Sequence, residues 1–180
     1  GSGLRQITFT EKTGANAAVF APDGAQLAFT EIAGNSLSSY LLDLTKPWTE
    51  QTPQPLSKPS PDESFSVRDW SKDGRKLLSI YFERDGDESG IGVFNLETSR
   101  YEKITESGSN PFWLADNRHF IYTDRSAIYL CDSQTKKITE LYKPSAYEIQ
   151  HANISPDNRL IFFRYLQVNA DVWLLDASGE

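Results

Sequence analysis

Trp70-Ser-Lys-Asp-Gly74-Arg-Lys-Leu77 is the stretch on which the fold turns, because the chain writes its pattern four times. The other copies are Phe20-Ala-Pro-Asp-Gly24-Ala-Gln-Leu27, Trp113-Leu-Ala-Asp-Asn117-Arg-His-Phe120 and Ile154-Ser-Pro-Asp-Asn158-Arg-Leu-Ile161. Each sets a large apolar residue three places before an aspartate, which is followed by Gly or Asn and then an apolar run. Asp23, Asp73, Asp116 and Asp157 follow one another at 50, 43 and 41 residues. Self-similarity at such a period is the mark of a repeat architecture in which each copy is one supersecondary unit.

The chemistry of the repeated turn is that of a hairpin. Asp-Gly and Asp-Asn supply a positive-φ residue, and an aspartate can bond its own backbone two residues on. Strands follow the turn at Leu27-Ala-Phe29, Leu77-Leu-Ser-Ile80, Phe120-Ile-Tyr122 and Leu160-Ile-Phe-Phe163. A third strand follows at Tyr40–Asp43, Gly92–Asn95, Tyr129–Asp132 and Val172–Asp176. An outer strand comes next at Pro55–Ser57, Tyr101–Thr105 and Ile138–Tyr142, and the prolines near the first of these suit an edge.

The fourth unit has no outer strand after Asp176, but Leu4-Arg-Gln-Ile7-Thr8 matches Tyr101-Glu-Lys-Ile104-Thr105. The expected fold is therefore all-β: a β-propeller of four four-stranded blades whose N-terminal strand closes the last blade and covers its edge. The blades fall at about residues 15–57, 65–105, 109–142 and 149–176 plus 4–8, in one domain over 4–180. A β-sandwich with similar turns is the competing architecture, and four in-phase units weigh against it.

Composition agrees. Aromatics make up 12% of the 180 residues and Met is absent, a balance suited to pleated surfaces. Gly1-Ser2-Gly3 reads as a cloning scar, and the chain as a piece excised from a longer protein. The net charge of −7 argues against nucleic acid, because phosphate contacts need clustered Lys and Arg. No run is long and apolar enough to enter a bilayer as a helix. Cys131 is the one cysteine, so no intrachain disulfide forms.

With these repeats laid out, the chain resembles the TolB-like, WD-repeat-like propellers of bacteria. The residues that carry the resemblance are Phe20-Ala-Pro-Asp-Gly24, Ile154-Ser-Pro-Asp-Asn158, Ile7-Thr8 and Asp171-Val-Trp-Leu-Leu-Asp176. It spans the whole chain. The resemblance implies a periplasmic or other extracytoplasmic setting and a protein partner. It also brings in membrane-linked regulators and the gating propellers of prolyl-oligopeptidase-like peptidases. A propeller hosts unrelated activities, so function has to be argued from a site.

Few residues offer chemistry. Gly86-Asp-Glu-Ser89-Gly90 has the wrong spacing for a nucleophile elbow. His119 falls in the post-turn slot that holds Gln26 and Lys76 elsewhere, an exposed polar place. Glu83-Arg-Asp-Gly-Asp-Glu88 is acidic but lacks the ordered spacing of a calcium loop, and reads as a solvated turn. Asn153-Ile-Ser155 matches a glycosylation sequon that the repeat itself explains. No catalytic residue, metal site or cofactor is expected. Phe20, Trp70, Trp113 and Ile154 share one repeat position and read as inter-blade core. Trp48, in a polar, Pro-bearing segment, is a candidate surface contact or a cover for the blade edge.

The innermost strands carry the one constellation. Counting back four places from the repeated apolar residue gives Asn16, Ser66, Ser109 and Gln150; counting back three reaches Asn110 and His151. Arg68 lies on the same strands. Such a ring around a central channel suits a small polar ligand, or water alone.

The leading functional expectation is a non-catalytic module that binds a protein or peptide, or senses a ligand, in a bacterial envelope or membrane-linked regulatory protein. The alternative is the non-catalytic gating propeller of a peptidase whose hydrolase domain lies elsewhere. A homodimer completing an eight-bladed ring is a further expectation, set against closure within one chain.

Overall fold

The computed structural model describes residues 14–34, 36–83, 88–145, 147–155 and 157–166. Sheets follow one another along the chain in meander order. The first comprises β1 (Gly14–Phe20), β2 (Gln26–Ala33), β3 (Ser36–Asp43) and β4 (Gln54–Pro55). The second comprises β5 (Ser64–Trp70), β6 (Lys76–Phe82), β7 (Glu88–Asn95) and β8 (Arg100–Lys103). The third comprises β9 (Ser109–Trp113), β10 (His119–Thr123), β11 (Ile128–Asp132) and β12 (Ile138–Tyr142). The fourth is described as the pair β13 (Glu148–Ile154) and β14 (Ile161–Leu166). All pairings are antiparallel. A single turn of 3-10 helix, Trp48–Glu50, is the helical element among the described residues.

The repeated hairpin is built alike in every unit. Gly24, Gly74, Asn117 and Asn158 take φ of 72°, 76°, 57° and 59°, the left-handed values that Gly and Asn tolerate. Their N–H groups donate to Ala21, Ser71, Leu114 and Ser155. Oδ1 of Asp23, Asp73, Asp116 and Asp157 accepts the N–H two residues on, at 2.9, 3.1, 3.0 and 3.2 Å. Where Ser precedes the turn, Ser71 and Ser155 donate to Asp73 and Asp157 at 2.6 Å and accept the N–H of Lys76 and Leu160.

Core forms where sheets face each other. Trp70 (4% exposed) joins Ala21, Ala28 and Leu77 between the first and second sheets. Trp113 (2% exposed) packs with Leu78, Ile91 and Val93 of the second sheet. Burying side chains of this size contributes roughly 1.5–3 kcal/mol apiece. Each Trp thus docks against the sheet before its own. Phe20, at the same repeat position, does not: it is 66% exposed, because the first sheet has no described sheet before it. The expectation of inter-blade core therefore holds for Trp70 and Trp113, fails for Phe20 and is half met at the partly buried Ile154.

The strand bounds shift in a few places. The outer strand of the second blade runs Arg100–Lys103 rather than to Thr105, because Thr105 Oγ1 turns in to accept the Ile91 N–H. The first outer strand is Gln54–Pro55, after which the Leu56 N–H donates to Ser39 O. Leu4–Thr8 and Val172–Asp176 lie outside the described residues.

Candidate functional site

Every inner strand carries a register irregularity. It falls between Ala15 and Ala17, between Val67 and Asp69, opposite Ile121–Thr123, and between Ile149 and His151. The extra residues are Asn16, Arg68, the pair Asn110–Pro111, and Gln150. A bulge bends the strand and re-aims a side chain. It is the local device that sets the bulge residue off the regular pleat.

The ring residues meet different fates. Ser66 is fully buried and accepts a hydrogen bond from Arg68 Nη1 at 2.6 Å; the same atom donates to Val67 O at 3.1 Å. Ser66 therefore supports Arg68 and offers no surface of its own. Ser109 turns toward Thr123, with its Oγ 3.3 Å from Oγ1. Asn16 is a bulge residue whose side chain is not described. Asn110, Gln150 and His151 are brought together across the junction of the third and fourth blades. Asn110 Nδ2 donates to Gln150 O at 3.1 Å, and His151 Nδ1 lies 3.2 Å from Asn110 Oδ1. The second contact needs a proton on Nδ1, since the amide oxygen only accepts. Asn110 holds φ at 50°, a conformation uncommon outside Gly and Asn.

Beside this bridge lies an open hollow of about 340 Å³ lined by Asn110, Phe112, His151, Phe162, Phe163 and Arg164. Arg164 sits opposite His151 in the β13–β14 ladder, and its guanidinium makes no hydrogen bond or ion pair with any described residue. Phe112 and Arg164 are the residues that composition and spacing did not single out. The repeat itself holds the signal. Arg164 lies seven residues after its turn aspartate, where the other blades place Thr30, Ile80 and Thr123, all buried. Phe162, two residues earlier, stands 60% exposed where Ala28, Leu78 and Ile121 are buried.

A second hollow, about 600 Å³, lies by the outer strand of the second blade and includes Tyr81, Lys103, Glu106 and Lys136. Its lysines are already engaged. Lys103 Nζ meets Glu63 Oε1 at 2.5 Å and stands 4.7 Å above the Tyr81 ring; Lys136 Nζ meets Glu102 at 3.0 Å.

His119 belongs to a charged turn. Its Nδ1 is 2.6 Å from Asp116 Oδ2, and Arg118 makes a two-pronged bond to Asp132 at 3.1 and 2.6 Å. The Arg118 guanidinium holds the Asp132 carboxyl well below the usual range. No hydroxyl or thiol is hydrogen-bonded to either histidine, and no group of three metal-ligating side chains converges, among the described residues. The Cys131 thiol is buried, and that burial pushes its pKa up to about 11, which leaves it protonated. Trp48 opens the 3-10 turn, and its side chain is not described.

Solved structures share this architecture. The TolB-type structure from Agrobacterium tumefaciens superposes with a TM-score of 0.71 at 20% identity, over 87% of this chain and 56% of that one. TolB from Acinetobacter baumannii gives 0.68 at 17% identity, over 92% and 41%. A prolyl endopeptidase gives 0.62 at 14% identity, over 87% and 26%. The chain spans about half the length of the TolB structures it matches. No protein-family model and no curated protein sequence matches. The fold is that of a TolB-like β-propeller.

Proposed function

We propose that the chain is a non-catalytic binding module whose inner-strand face receives a protein or peptide. The observation that carries this reading is the Asn110–His151 bridge. It joins two blades and borders a hollow with aromatic walls. Concave sites that combine apolar and aromatic walls with a few fixed polar groups are where ligands bind. Arg68, Ser66, Ser109, Gln150 and Asn16 are the framework of the same face, and Trp48 is a separate surface contact. The module belongs to a bacterial envelope or membrane-linked regulatory protein and stands outside the cytoplasm, a setting supported by the TolB-like fold.

Self-association into an eight-bladed ring is part of this reading. Phe20 on the first blade stays exposed at the repeat position that Trp70 and Trp113 bury at internal junctions. A second reading, the gating propeller of a prolyl-oligopeptidase-like enzyme, is favoured by the likeness to a prolyl endopeptidase.

Peptides selected by display against the purified chain test the first reading. Their affinity should fall about tenfold on Asn110→Ala or His151→Ala, the scale of a binding hot spot. Binders indifferent to both substitutions, or peptide turnover abolished by one substitution, overturn it.

A further inference from the structure

Resting on that reading, we infer that the hollow beside Arg164 takes a peptide C-terminus: a carboxylate carried next to an apolar side chain. The first ground is a break in the repeat. At the position of Arg164 the other three blades bury Thr30, Ile80 and Thr123. A blade that served only to pack would keep such a residue there. A guanidinium in its place breaks the local pattern, and such breaks gather at functional sites.

The second ground is charge. The Arg164 guanidinium has neither an acidic partner nor a hydrogen bond among the described residues, while the chain as a whole carries −7. Arg118, by contrast, is held by two bonds to Asp132. A planar fork of donors left open at the edge of a hollow matches a carboxylate, which it binds through two parallel bonds.

The third ground is the wall. His151 faces Arg164 across the strand pair, and its ring is fixed through Nδ1 to Asn110. Asn110 is in turn held by Gln150 O of the next blade. Phe112 and Phe162 supply apolar surface on the same hollow. Anion donors beside aromatic rings suit the last residue of a peptide: the carboxylate meets Arg164 and the side chain meets the rings. An acidic side chain within a peptide offers the same carboxylate without the adjoining apolar group.

Amide NMR titrations of the intact chain distinguish these cases. The probes are N-acetyl-Leu-Phe with a free carboxylate, its C-terminal amide, and N-acetyl-Asp-amide. The free acid is expected to bind saturably with shifts centred on residues 110–112, 151–153 and 162–164, and the amide at least about tenfold more weakly. Arg164→Gln should lose a similar factor while its melting temperature stays within a few degrees. Arg164→Lys, which keeps the charge but not the fork, should recover only part.

Equal binding of acid and amide, unchanged binding by Arg164→Gln, or no saturation by about 10 mM of the free acid overturns the inference. So does preference for N-acetyl-Asp-amide. A dimer broken by Arg164→Gln also overturns it, by making this face a contact between copies. If acid and amide bind alike and His151→Ala removes both, the face still receives peptides and only the carboxylate assignment falls. If neither probe binds and displayed peptides ignore His151→Ala, both fall.

Discussion

Asp69 Oδ2 accepts the backbone N–H of Trp113 at 2.7 Å, tying the inner strand of the second blade to that of the third. Burial raises the pKa of this carboxyl, and the N–H groups of Trp113 and Trp70 pull the other way. A raised folded value means that ionising Asp69 costs more in the folded chain than in the unfolded one. Its contribution to stability therefore falls as pH rises from the unfolded value of about 4 through the folded value.

Asp69→Asn should keep an acceptor for Trp113 and remove that pH dependence. Asp69→Ala should cost about 1–3 kcal/mol, because a buried N–H loses its partner. Urea unfolding at pH 4.5 and 7.5 checks both. An alanine variant as stable as the parent would show that the tie carries no weight.

Asp132 gives the opposite sign. Its folded pKa is depressed, chiefly by Arg118, so the stability it confers is present above the unfolded value and is lost as pH falls through the folded one. Asp132→Asn should flatten the loss of thermal stability below about pH 4. A melting curve as steep in acid as the parent's would contradict this.

Gly92 lies under the Tyr101 side chain, whose hydroxyl is 2.8 Å from Ser79 Oγ. A Cβ at position 92 would collide with that hydroxyl and ring. Gly92→Ala should therefore cost about 1–3 kcal/mol, the usual cost of overpacking. In a Tyr101→Phe background the cost should shrink; a double-mutant cycle showing no coupling would refute the contact.

The turn residues separate backbone conformation from side-chain bonding. Gly24→Ala meets open space but keeps a positive φ, and should cost about 1–2 kcal/mol. Asn117→Gly keeps the conformation and loses the bond from Asp73 N–H to Asn117 Oδ1 across the blade junction. Asn117→Ala loses both and should be the worst of the three, as read from thermal melts.

Deleting residues 1–8 tests the closure of the fourth blade. If Leu4–Thr8 is that blade's outer strand, the shortened chain should melt lower or lose solubility. An unchanged melt and oligomeric state would end the closure proposal; a monomeric mass for the intact chain would end only the eight-bladed ring.

The turns were legible in the sequence to the level of single hydrogen bonds, because Asp-Gly and Asp-Asn chemistry is local. So was the docking of Trp70 and Trp113, since the period fixes which residues recur. Phe20 departs from the pattern for a reason outside its own repeat: a period identifies equivalent positions but not which of them has a described neighbour. The inner ring was half legible. Polarity picks out Asn110 and His151, whose side chains meet, but fully buried Ser66 carries the same polarity and spends it on Arg68. Bulges shift register by one residue, and a fixed count back from the turn does not follow them. Arg164 was visible only as a departure from the other three blades.

Substantial packing between sheets joins only sequential ones among the described residues: β1–β3 to β5, β5–β7 to β9, and β9–β10 to β13. Stability in such an array is a sum of unit and junction contributions, so it is lowest where a unit has one neighbour and highest where it has two. Amide exchange should thus be slowest in β6 and β10, whose sheets are packed on both sides among the described residues. During synthesis each hairpin can close soon after its strands emerge and then settle against the blade already made. Order would accumulate in the direction of translation, with no need to wait for the last residue.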